Sequence, residues 1–82
     1  MYTPSVPNID KIGPYRFYFY SNERDEPSHV HIRRERALAK FWLDEVSLAS
    51  SKGFAAHELR ELERLVVKHR NKFLRSWNEH FG

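Results

Sequence analysis

HVHIRRERALAKFWL, residues 29–43, places two alternating runs back to back, and its reading decides the fold. In HVHIRR (29–34), Val30 and Ile32 point one way while His29, His31 and Arg33 point the other. In ALAKFWL (37–43), Ala39, Phe41 and Leu43 share one face, and Lys40 and Trp42 share the opposite one. A period of two is the signature of a half-buried strand. Only Glu35 and Arg36 separate the runs, so a tight antiparallel hairpin follows.

Upstream, YRFYFY (15–20) alternates in the same way, with Tyr15, Phe17 and Phe19 on one face and Arg16, Tyr18 and Tyr20 on the other. SNERDEP (21–27) joins it to the hairpin and has the composition of a turn. Downstream, Asp44–Glu45 bends the chain, VSLAS (46–50) reads as a short fourth strand, and Ser51–Gly53 as a linker. From about Ala55 to His80 the period changes. Ala55, Leu59, Leu62, Val66, Phe73 and Trp77 form one apolar stripe at helical spacing, unbroken by Pro or Gly. Phe54 and Leu59 have the spacing of a hydrophobic staple about an Ala55 cap. Arg70 and His69 fall at the edge of the stripe, where a helix–sheet seam would run.

Burial then dictates the architecture. The helix must hide its stripe, and the available partner is the sheet face carrying Phe17, Phe19, Val30, Ile32, Ala39, Phe41 and Leu43. The expectation is an α+β fold: a three- to four-stranded antiparallel β-meander with one long C-terminal helix packed on one face. Residues 1–13, with Pro4, Pro7 and Gly13, read as an extended N-terminal arm, and 14–82 as the single domain.

With 82 residues the chain accommodates one domain with a modest core and little room for a deep enclosed pocket. The absence of cysteine excludes disulfides and thiolate metal sites and suits a reducing, cytoplasmic setting. No apolar run is long enough to span a bilayer. The opening MYTPSVPNIDKIG lacks the basic and apolar regions of a signal peptide. Fourteen Lys and Arg against eleven Asp and Glu give a net charge of +3, which permits an anionic partner without requiring one.

The segments DEPSHVHIR, AKFWLDEVSLASSKGF and HELRELERLVVKHRNKFLRSWNEHFG resemble the DUF4160 family of small prokaryotic proteins, over roughly residues 14–82. The family's marks are the AKFW-L-x-x-V-x-LA-x-x-x-GF block, the helix ending W-N-E-x-F, and the segment carrying Pro27, His29 and His31. Two departures stand out: Glu45 where relatives commonly carry Pro, and Ala55 where they often carry Ser. The resemblance implies a protein without an assigned reaction. It also implies a gene paired with that of a small DUF2442-type protein, an arrangement like a toxin–antitoxin module.

Three constellations could carry chemistry. His29-x-His31-x-Arg33 would put two imidazoles and a guanidinium on one face of a strand. Such a group could act as acid and base on a phosphodiester, with Arg33 holding the developing charge. The bland alternative is a polar face whose histidines bond nearby turn backbone. A metal site needs a third ligand, which Asp25, Glu26 or His57 could supply though no spacing requires it, so neither a metal nor a cofactor is expected. The second constellation is the outward face of Arg16, Tyr18, Tyr20, Lys40 and Trp42, which interleaves rings and cations as single-stranded nucleic-acid platforms and protein hot spots do. Its bland alternative is that the N-terminal arm covers it. The third is the basic helix face of Arg60, Arg64, Lys68, Lys72 and Arg75, which could meet phosphates or simply face water.

Together with the resemblance, these features lead to two functional expectations. One is a toxin-like component of a toxin–antitoxin-type pair that binds a small DUF2442-type partner, with RNA or DNA as a further partner. If it were an enzyme, it would be a metal-independent ribonuclease using His29, His31 and Arg33, with Tyr18 or Tyr20 positioning substrate. The other is a non-catalytic protein- or nucleic-acid-binding module that regulates its partner or operon. No membrane association is expected, and homo-oligomerisation is left open.

Overall fold

The computed structural model of the chain describes residues 8–82. Five strands run β1 (Asn8–Ile12), β2 (Tyr15–Tyr18), β3 (His29–Arg34), β4 (Ala37–Trp42) and β5 (Ser47–Lys52), followed by α1 (Ala56–Phe81). The strands pair in chain order as an antiparallel meander. The α+β class and the single C-terminal helix agree with the expectation, but the sheet has five strands where three or four were expected.

The extra strand comes from the expected arm. NIDKI lacks a clean alternation, yet Gly13, at φ 57, turns the chain so that Lys11 pairs with Arg16 and Ile12 with Tyr15. The arm's first seven residues lie outside the described residues. The expected Ser51–Gly53 linker is also partly strand, since Ala39 pairs with Ser51 and Leu38 with Lys52. A bulge between Lys40 and Phe41 shifts the register there, leaving Ala49 between the residues paired with them.

One core lies between sheet and helix. Phe17, Val30, Ile32, Ala39, Phe41 and Leu43 from the sheet side meet Leu62, Val66 and Phe73 of α1, all buried. Phe17 stacks on Phe73 at 5.1 Å. Polar ties flank the greasy contact. Arg34 Nη2 donates to Glu58 Oε2 at 2.7 Å, and Lys72 Nζ to Asp10 Oδ2 at 2.7 Å. Arg70 spans the seam as expected, its Nε donating to the Leu43 carbonyl at 2.6 Å and its Nη2 to that of Asp44 at 2.8 Å. The start of α1 has half a capping box: the Glu58 carboxylate accepts from the Ala55 amide, but alanine returns nothing. No helix among the described residues is long and apolar enough to cross a membrane.

Candidate functional site

The end of the sheet where β3 begins is enclosed by the loop from Tyr20 to Ser28 and by the last turns of α1. Glu23 organises the loop. Its amide donates to the Tyr20 carbonyl, and its Oε1 accepts from the Tyr20 amide at 2.8 Å. The Glu26 amide then donates to the Glu23 carbonyl at 3.1 Å. These bonds aim the Glu23 side chain back over β3.

There it meets both histidines. His31 Nε2 lies 3.0 Å from each Glu23 oxygen. His29 Nε2 lies 3.0 Å from Glu23 Oε1, yet it has no hydrogen-bond partner. The other nitrogen of His29, Nδ1, is 2.9 Å from the Pro27 carbonyl. A carbonyl only accepts, so this contact assigns the proton of a neutral His29 ring to Nδ1 and leaves Nε2 as a lone pair. Burial raises the Glu23 carboxyl, but the Tyr20 amide and the two imidazoles outweigh it and hold Glu23 below its ordinary value. Burial lowers His31, with the Glu23 carboxylate opposing in part.

His29 departs from the expected outward face. It is 0 % exposed, with Trp77 of α1 4.8 Å away and Trp42 5.8 Å away. Alternation assigns the side chain a face of the strand, and His31 indeed stays beside it at 5.0 Å. It cannot foresee that the end of α1 and the Glu23 loop close over the first residue of β3. Arg33 lies apart from the cluster: it is exposed, and its Nε donates to the Glu35 carbonyl at 2.9 Å.

The aromatic platform is also less open than expected. Tyr18 is 4 % exposed and stacks on His31 at 5.3 Å, with Tyr20 edge-on at 5.6 Å. Burial, reinforced by the neighbouring Tyr20 phenol, pushes the Tyr18 hydroxyl up to about 12. Trp42 carries Lys40 Nζ 4.6 Å from its ring centre, while that ammonium is ion-paired to Glu26 at 2.6 Å. Arg16 is exposed, with its guanidinium 5.4 Å from the Tyr18 ring centre. Beside these residues a groove of about 320 Å³ runs to the edge strand β5, lined by Tyr20, His31, Leu38, Lys40, Ser50 and Lys52 among others. On the helix, Arg60, Arg64, Lys68 and Arg75 are exposed as expected, while Lys72 is tied to Asp10.

The residue the sequence reading missed is Glu23. Asp25, Glu26 and His57 offer ligand chemistry by residue type, yet the cluster is Glu23, His29 and His31. The carboxylate-rich turn was a visible signal, but which of its acids folds back depends on the Tyr20–Glu23 turn.

The fold and this cluster define a class: a small α+β protein in which a five-stranded meander is backed by one helix and carries a carboxylate–bis-histidine cluster at one end. The family model described as "Domain of unknown function (DUF4160)" matches residues 15–78, and the chain belongs to that family. No curated protein matches the chain, and no solved structure does.

Proposed function

We propose that the chain is a non-catalytic binding module of a cytoplasmic, toxin–antitoxin-type gene pair, and that it holds a small DUF2442-type partner protein by strand addition along β5. The observation carrying this reading is the free sheet edge. Among the described residues β5 pairs only with β4, and five of its six residues are exposed. An exposed edge strand is a ready template for a partner's backbone. The adjoining groove supplies side-chain recognition: its Leu38 is 39 % exposed, and the Lys52 ammonium suits an acidic side chain. Leu48, 42 % exposed on β5 itself, lies outside the groove and offers an apolar contact along the strand.

Two observations weigh against the competing readings. A fully buried His29 with Nδ1 committed to a carbonyl is poorly placed to exchange protons with a phosphodiester. Tyr18 and Trp42 already have ring and cation partners, which leaves less face for stacking bases.

Co-expression with the neighbouring small protein, followed by size-exclusion chromatography and calorimetry, tests the proposal. A 1:1 complex is expected, weakened about tenfold or more by Leu48→Lys and by Leu38→Glu, each replacing an apolar contact with a buried charge. No complex, or unchanged affinity in both variants, defeats it. Salt-sensitive RNA uptake through Arg60, Arg64, Lys68 and Arg75 without a protein complex would favour the nucleic-acid reading instead. Self-association through β5 would replace the partner with a second copy.

A further inference from the structure

Glu23, His29 and His31 are brought within coordinating reach of one another, their ligand atoms all lying within 4.8 Å. We propose that Glu23, His29 Nε2 and His31 Nε2 bind a divalent transition-metal ion of the zinc class. This is independent of the partner-binding reading.

The buried histidine carries the argument. His29 is 0 % exposed and its Nε2 has no hydrogen-bond partner. With Nδ1 donating to Pro27, a neutral ring leaves Nε2 as a lone pair 3.0 Å from a carboxylate oxygen. Two lone pairs at that distance repel unless a cation lies between them, and burial removes the water that would screen them. Tetrahedral zinc with ligands at about 2.0–2.1 Å separates its donor atoms by about 3.3 Å, close to the 3.0 Å from each imidazole Nε2 to a Glu23 oxygen. The Nδ1–carbonyl bond is also the arrangement that fixes the tautomer and orientation of a metal-bound imidazole.

The surroundings fit a cation. Glu23 supplies one negative charge, and the Lys40 ammonium, opposite His31 across the strand pair, is offset by Glu26 at 2.6 Å. Tyr18, Trp42 and Trp77 wall the imidazoles with rings. Glu23 and His31 keep some exposure, so solvent or an incoming carboxylate can complete the coordination. Two nitrogens and a carboxylate suit zinc, cobalt or nickel and do not suit magnesium or calcium, which favour all-oxygen sets.

Chelator-treated full-length chain titrated with Co²⁺, followed by displacement with Zn²⁺, tests the proposal. One equivalent should bind at micromolar concentration or tighter, with visible d–d absorption and a raised thermal midpoint. Glu23→Gln and His31→Ala should each weaken binding at least tenfold while circular dichroism shows them folded. His57→Ala, away from the cluster, should bind as the parent does, and Mg²⁺ should not compete. Absence of stoichiometric binding, or equal affinity in the parent, Glu23→Gln and His31→Ala, overturns it. The two ligand variants leave His29 in place, so a folding failure from emptying its buried position does not confuse the result.

Discussion

The indole of Trp77 and the imidazole of His29 sit 4.8 Å apart, which joins the last turns of α1 to the first residue of β3. Trp77 also meets Phe19 at 5.4 Å and Phe81 at 4.3 Å, so one ring gathers the helix end, the chain beyond β2 and the start of β3. Trp77→Ala should therefore cost about 3–5 kcal/mol by urea denaturation, a large share of the stability of a small domain. Trp77→Phe should retain most of it. A loss below about 1 kcal/mol for the alanine variant would show that the helix end is not held by this contact.

Arg70 makes a comparably specific tie. Its fork satisfies two carbonyls in succession, Leu43 and Asp44, where the chain leaves β4. Arg70→Leu keeps the apolar stem and removes both donors, and should cost about 1–3 kcal/mol. Arg70→Lys should restore less than half, because a single ammonium cannot reproduce the planar fork. Full rescue by lysine would assign the effect to charge alone.

Two backbone positions invite stabilisation. Ala55 has the extended dihedrals of an N-cap, φ −75 and ψ 159, but no acceptor side chain. Ala55→Ser should complete the box with Glu58 and raise stability by about 0.5–1.5 kcal/mol. Glu35, the first residue of the two-residue β3–β4 turn, has φ 55, a left-handed conformation that favours glycine. Glu35→Gly should add about 0.5–1 kcal/mol, with the larger entropy of glycine in the unfolded chain limiting the gain. Unchanged denaturation midpoints would refute both expectations.

Tyr18 gives the chain an alkaline limit. Its folded value, about 12, lies above the ordinary 10.0, so the folded state holds the proton more tightly than the unfolded one. The associated stability is complete below pH 10 and is lost as pH rises from 10 toward 12. Burial raises Tyr15 as well, so absorbance titration near 295 nm should show more than one late tyrosine. Tyr18→Phe should remove the step near 12 and flatten the alkaline loss, and a step near 12 that survives the substitution would assign it to another tyrosine.

The strands at 29–34 and 37–42 and the long helix were legible because each carries its own period. Val30, Ile32, Ala39 and Phe41 alternate, and Leu62, Val66, Phe73 and Trp77 recur at helical spacing. β1 was not legible, because NIDKI becomes a strand by pairing with β2 across the Gly13 turn. The site divides in the same way. That His29 and His31 would lie side by side follows from strand geometry.

By itself, then, the sequence determined the α+β class, the helix-facing core and the neighbouring imidazoles, since all depend on local periodicity and the need to bury apolar surface. Only the tertiary structure decided that Glu23 joins the histidines, that Trp77 seals His29, that Tyr18 is buried and that β5, among the described residues, pairs only with β4. Each of these depends on where a turn or chain end comes to rest against a distant element, and residue spacing along the chain carries no record of that.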